Sequence, residues 1–187
     1  MNFPSLNPGA GRILIVDDEE IVLVALREML IRQGYQVVTT TDPTVAIEEL
    51  KLQEFAIVIS DQRMPNLSGL ELLARAREIQ PDATRILITA VLSLDTVLEA
   101  INQGEIYRFI VKPWLREELL VTMKNAAQRY ELIRQNRGLQ AGTQAMNQQL
   151  VELNRSLEQQ VKLVAEQNEQ LENVNHALEQ NLLRSME

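Results

Sequence analysis

Up to about Lys112 the chain alternates short, continuously apolar runs with longer amphipathic ones. The runs RILIV, YQVVTT, FAIVIS, TRILITA and YRFIV are rich in branched residues and predict five strands. Between them IVLVALREMLIRQG, PTVAIEELKLQ, GLELLARAREIQ and SLDTVLEAINQG predict helices, because apolar residues recur at helical spacing, as at Val22, Leu26, Met29 and Leu30. Gly34, Pro81 and Gly104 punctuate their ends. Strands this apolar have no wet face. They predict an α/β fold, a five-stranded parallel sheet doubly wound with helices on both sides, for which a flavodoxin-like strand order is one solution. Ligands of such sheets gather at the carboxyl ends of the strands.

After Pro113 there is no further proline, and the only glycines are Gly138 and Gly142. The pattern becomes one long helix. Leu150, Leu157, Val164, Leu171 and Leu178 recur every seven residues, and four residues beyond each stand Asn154, Val161, Asn168, Asn175 and Leu182. With the leucine series at d, asparagine falls repeatedly at a, where it fixes register and favours dimers at a cost in stability. The expectation is a parallel, in-register, two-stranded coiled coil and hence a homodimer. Upstream, Leu119, Met123, Ala126, Tyr130 and Ile133 follow a seam offset by one residue, so a slip of phase is expected near Gly138 and Gly142. Three segments are expected: a flexible leader over 1–11, a globular domain over 12–129, and a helical linker and coiled coil over 130–187.

Composition narrows the partners. The 187 residues are 45% hydrophobic and 24% charged, enough for one ordinary domain and an extension. A net charge of -8 argues against a phosphate-backbone binder, so direct nucleic-acid contact is not expected. No stretch has the length and apolarity of a signal sequence or membrane span, so no membrane association is expected. The chain has no cysteine, which removes disulfide and thiolate-metal chemistry and fits a cytoplasmic location.

The candidate chemistry sits at the strand ends. Asp17 and Asp18 end the first predicted strand in ILIVDDEE, and Asp61 ends the third in AIVISDQRMPNLSG. In a parallel sheet these ends converge, and carboxylates crowded together resist ionisation unless a cation is present. Magnesium suits such a site, since it prefers hard oxygen ligands and bridges readily to phosphate. Thr89 ends the fourth strand with a hydroxyl and Lys112 the fifth with an ammonium. A carboxylate among a divalent cation, a hydroxyl and an ammonium is equipped to accept a phosphoryl group, whose transfer mostly requires positioning and charge neutralisation.

The ordered set VDD, SDQRMP, TA and KP, over roughly Arg12 to Arg129, resembles the response-regulator receiver domains of two-component signalling. The resemblance implies that Asp61 is phosphorylated by a partner histidine kinase. It further implies that Asp18 and Asp61 bind Mg2+ directly, that Asp17 helps through water, and that the Arg63 backbone carbonyl completes the metal site. Lys112 and Thr89 would then hold the phosphate, and Phe109 stands where the family keeps its switching aromatic. Such a domain is a phosphoacceptor with at most self-dephosphorylation, and the switching surface is expected around the fourth helix and fifth strand. SDQRMP with GEIYRFIVKPW looks most like receivers of multi-domain bacterial regulators, whose outputs include phosphohydrolases and transcription-activating ATPases.

Taken singly, each residue has a plainer role. Asp17 and Asp18 could cap the following helix, Asp61 could be a loop carboxylate, Thr89 a strand residue and Lys112 a solvated charge. Phe109 could equally be core, Trp114 packs at the start of the last helix, and His176 falls on an outer, solvated helical position. The joint occurrence of the charged set at separate strand ends favours the receiver. Two other readings compete. Phosphatases with an aspartate nucleophile carry DxDx[TV], whereas this chain reads VDDEE, and an unphosphorylated scaffold would use the coiled coil alone. The sequence contains no P-loop, basic recognition helix or cyclic-nucleotide catalytic motif, and the helical pattern is still running at LLRSME, as expected of a piece of a longer regulator whose output lies elsewhere.

Overall fold

The computed structural model describes residues 11–90, 101 and 106–185, and the side chains of His176, Ala177 and residues 179–185 lie outside that description. So do residues 1–10 of the leader expected over 1–11 and nearly all of the expected fourth helix. Five strands form one parallel sheet: β1 Ile13–Val16, β2 Val37–Thr40, β3 Ile57–Asp61, β4 Thr84–Thr89 and β5 Arg108–Val111. Their order is β2-β1-β3-β4-β5. This is the flavodoxin-like solution, with the crossover reversing beside β1 and β3.

Among the described residues three helices connect the strands, α1 Glu20–Ile31, α2 Pro43–Leu52 and α3 Gly69–Ile79. Each buries one stripe, such as Leu23, Leu26 and Leu30 of α1 or Leu72, Leu73 and Ala76 of α3. The starts of α2 and α3 are chemically set. Asp42 accepts from the Thr44 amide at 2.8 Å with Pro43 in the first turn, and Ser68 and Glu71 form a reciprocal capping box.

The sheet separates two cores by strand alternation. Ile13, Ile15, Ile57, Ile59, Ile86, Ile88 and Ile110 face one cluster, shared with α1 and with Leu119, Met123, Ala126 and Tyr130 of the C-terminal helix. Leu14, Val16, Val58 and Leu87 face the other, shared with α2 and α3. The outer strands are less apolar in effect than their sequences suggest. All of β2 is half-buried, and Arg108 and Val111 of β5 are exposed, because each pairs with only one neighbour.

The C-terminal helix spans Arg116–Ser185. The chain divides into two compact units at Gln135 and Asn136. In the first unit the helix buries its inward face. In the second, every residue whose burial is described is exposed, including Leu150, Leu157 and Leu171 at about half of their surface or more. Helix propensity alone is a weak source of stability. Gly138 and Gly142 weaken it by about 1 kcal/mol each relative to alanine, and neither faces another atom that would require a glycine.

Candidate functional site

The alternation that builds the first core also aims its charges. Continuing each inward series by one more step, Ile13 and Ile15 lead to Asp17, Ile57 and Ile59 lead to Asp61, and Ile110 leads to Lys112. Three charged side chains therefore leave the sheet on one side at its carboxyl end. Lys112 Nζ lies 2.8 Å from Asp17 Oδ2 and 2.6 Å from Asp61 Oδ1, with Glu19 Oε1 at 3.7 Å. The bridge is largely dry: the Asp17 and Asp61 side chains are 2% and 7% exposed and that of Lys112 is 15% exposed.

Backbone amides hold the remaining carboxylate oxygens. Asp61 Oδ2 accepts from Arg63 N at 2.5 Å, and Asp17 Oδ1 from Glu19 N at 3.0 Å. Burial pushes the Asp17 carboxyl above the ordinary carboxylate value, against the hydrogen bond and charge of Lys112. For Lys112, burial alone would lower the ammonium, but hydrogen bonds to Asp17 and Asp61 and their charge carry it above its ordinary value. Asp17 and Lys112 thus disagree over which effect wins. The geometry supports an ionised bridge, because one ammonium within 3 Å of two carboxylates is a charge-assisted pair on both sides.

Asp18 is exposed and takes no part in this bridge. Among the described residues no three histidine, cysteine or acidic side chains are gathered into a metal cage. The expected trio of converging carboxylates is thus a close pair, Asp17 and Asp61, with Asp18 beside it in sequence. The donor set nevertheless fits magnesium, which binds through one or two carboxylates and keeps several waters. The helix cap also differs from the simple reading. The N-cap of α1 is Glu19, without a side-chain cap, and Asp17 accepts from the Glu19 amide instead.

Thr89 follows Leu87 on the second face of the sheet and is buried. Its carbonyl accepts from Lys112 N at 2.8 Å, tying the ends of β4 and β5 together. Phe109 pairs in register with Leu87 and is half-buried against the second core. Thr89 and Phe109 therefore share a face, opposite the one from which Asp17, Asp61 and Lys112 project. Tyr107 is partly exposed, with the Arg129 guanidinium 5.4 Å from its ring centre, and Trp114 packs against the first core. Pro113 follows Lys112 through a cis peptide bond.

One residue of the site escaped notice in the sequence. Gly69 opens α3 beside the end of β3, its amide donating to Gln62 O at 3.0 Å. A Cβ there would stand 2.0 Å from the Asp61 carbonyl oxygen and 2.9 Å from Leu87 Cδ1. The signal available was the turn PNLSG after SDQRM, within which Asn66 takes a positive φ of 69°.

The family model of the response regulator receiver domain matches residues 13–124. The chain belongs to that family. Among similar proteins, the hydrogenase transcriptional regulatory protein HoxA of Bradyrhizobium diazoefficiens is 37% identical over 122 residues, covering 65% of this chain and 25% of the relative. The chain spans between 24% and 30% of the length of three curated relatives it matches. The signal receiver domain of an HD domain-containing protein from Pseudomonas fluorescens Pf-5 aligns with a TM-score of 0.64 and 34% identity, over 71% of this chain and 98% of that one. The response regulator protein TrrA of Thermotoga maritima, solved in complex with Mg2+ and BeF, aligns with a TM-score of 0.56 and 31% identity, over 62% and 98%. Receiver domains of two-component systems therefore account for the sheet and its acidic end, and a receiver neighbour carries magnesium. Among the described residues no helix is long and apolar enough to cross a membrane.

Proposed function

We propose that the receiver domain, taken as residues 12–129, accepts a phosphoryl group from a histidine kinase onto Asp61. The single observation that carries this reading is the dry bridge in which Lys112 Nζ contacts both Asp61 and Asp17. An Asp61 oxygen attacks phosphorus as the bond from phosphorus to the kinase imidazole nitrogen breaks, and the imidazole leaves as the neutral base after taking a proton. Lys112 then follows the new oxygens, and Thr89 donates its hydroxyl to one of them. Asp17, Asp18, Asp61 and the Arg63 backbone carbonyl would hold magnesium, which supplies positive charge opposite the phosphoryl oxygens. No turnover of an added substrate is part of this role, and a cytoplasmic location follows for a kinase-addressed domain. The expected result is one phosphoryl group per chain by intact mass with a small acyl phosphate and Mg2+. An adduct formed equally in chelator, or retained in Asp61→Asn, contradicts the proposal.

The switch rests on the shared face of Thr89 and Phe109. A phosphoryl oxygen that engages the Thr89 hydroxyl biases the packing next to Phe109, because a ligand shifts a conformational equilibrium only through differential contacts. In Thr89→Ala, NMR shifts around Phe109 on adding an unhydrolysable phosphate mimic should shrink relative to wild type. Equal shifts in both proteins would remove the coupling.

Residues 130–187 are the second part of the proposal, a helical linker and coiled coil that pairs two copies and passes the change to an output element outside this chain's motifs. Supporting it are the apolar residues left exposed along the described part of the helix in the second unit. Light scattering on the whole chain should show a dimer at micromolar concentration, and truncation at Arg129 should abolish it.

A further inference from the structure

We infer that the partner of the C-terminal helix is a second copy of the same helix, parallel and in register, seated on a seam that places Leu150, Leu157, Val164, Leu171 and Leu178 at a rather than d. This rests on the proposed coiled coil and specifies which face closes. In this phase the d positions are Leu139, Met146, Leu153 and Val174, with Gln160 and Gln167 between the last two. All four apolar d residues are more than half exposed in the single chain.

Charge decides between the two flanks of the leucine series. From Asn136 through Glu179, every charged residue and His176 fall at b, c or f of this phase, and none falls at a, d, e or g. Over Asn136 to Glu179 the helix thus has one uncharged side that complements itself and one side that carries the charge, and Arg184, at g, lies beyond this stretch. In the opposite phase, with asparagines at a, Arg137, Glu158, Glu172 and Glu179 move to e. The g residues facing the last three across a parallel pair would be Leu153, Gln167 and Val174, so no carboxylate meets a cation and two meet apolar side chains.

Two consequences differ from the sequence expectation. Asn154, Asn168 and Asn175 stand at e, beside the seam, so they do not act as buried register keys. The phase also runs unbroken past the glycines, because Gly138 and Gly142 occupy c and g while Leu139, Thr143 and Met146 continue the seam.

The chain has no cysteine, so single cysteines report cleanly. Full-length Leu153→Cys, Asn154→Cys and Leu157→Cys proteins are oxidised with copper phenanthroline, which removes two electrons and two protons per disulfide, and dimer is read on a non-reducing gel. Leu157 is a seam residue in both phases and should cross-link strongly. The expected result is severalfold more dimer from Leu153→Cys than from Asn154→Cys. The reverse order overturns the phase and leaves the coil standing. Absence of dimer from Leu157→Cys and from both others removes the coil itself. Leu139→Cys set against Gln140→Cys repeats the comparison beside the glycines, and preference for Gln140 overturns the unbroken seam.

Discussion

Gly69→Ala should destabilise the receiver domain by about 3 kcal/mol or more, since overpacking a fitted site commonly costs 1–3 kcal/mol and the obstacle here is backbone. The added methyl would stand 2.0 Å from the Asp61 carbonyl oxygen and 2.8 Å from its carbonyl carbon. Neither atom can rotate away as a side-chain tip can. Relief must come from lifting the start of α3 off the end of β3, which breaks the hydrogen bond from Gly69 N to Gln62 O and shifts the acceptor carboxylate. Urea unfolding of the whole chain should show a lower midpoint with an unchanged slope for the domain transition. Phosphoryl uptake should fall along with stability. A midpoint within a few tenths of a molar of wild type would mean that α3 approaches β3 less closely than described.

Lys112→Met should cost about 3 kcal/mol, because removing one partner of a buried pair leaves the others uncompensated. Here it leaves two carboxylates, Asp17 and Asp61, facing the space of one lost ammonium. Adding Asp17→Asn should recover part of the loss, and the double-mutant cycle measures how much of it is repulsion between those two groups. The pH dependence separates this from simple packing. Lys112 has its pKa raised in the folded protein, so its stabilisation is fully present below the unfolded value of 10.5 and is lost as pH climbs through the folded value above it. The raised Asp17 pKa acts in the same direction along the pH axis but in a different window: its ionisation in the folded state costs stability as pH rises out of the acid range. Wild type should therefore lose the ammonium's contribution in alkali, whereas in acid protonation of Asp17 removes one carboxylate from the bridge. The methionine variant should gain stability on acidification through the carboxylate range, and if it instead tracks wild type at every pH the bridge contributes little.

The fold was legible where local pattern and global fold agree. Continuous branched runs became the strands, and the breaks at Gly34 and Pro81 fell where α1 and α3 end. Edge position was less legible, because VVTT and RFIV read as buried yet β2 and β5 each have one neighbour. At the site, the residue types and strand ends were readable, but which of two adjacent aspartates turns inward was not read from VDD. Counting in twos from Ile13 would have singled out Asp17. Gly69 stayed hidden because its requirement arises from a carbonyl eight residues earlier in the chain, and no spacing rule reports such an approach. For the C-terminal helix, following the leucines alone left their flank undecided. The positions of the charges carried the missing information.

The most direct measurement of the central claim is the location of the phosphoryl group. The whole chain is incubated with a small acyl phosphate and Mg2+, reduced with borohydride, digested and sequenced by mass spectrometry. Reduction converts a phosphorylated aspartate to homoserine and leaves a free carboxylate unchanged. The account predicts homoserine at position 61 and nowhere else, dependent on Mg2+ and absent from Asp61→Asn. Homoserine at Asp17 or Asp18, or none anywhere while the protein remains folded, would contradict it.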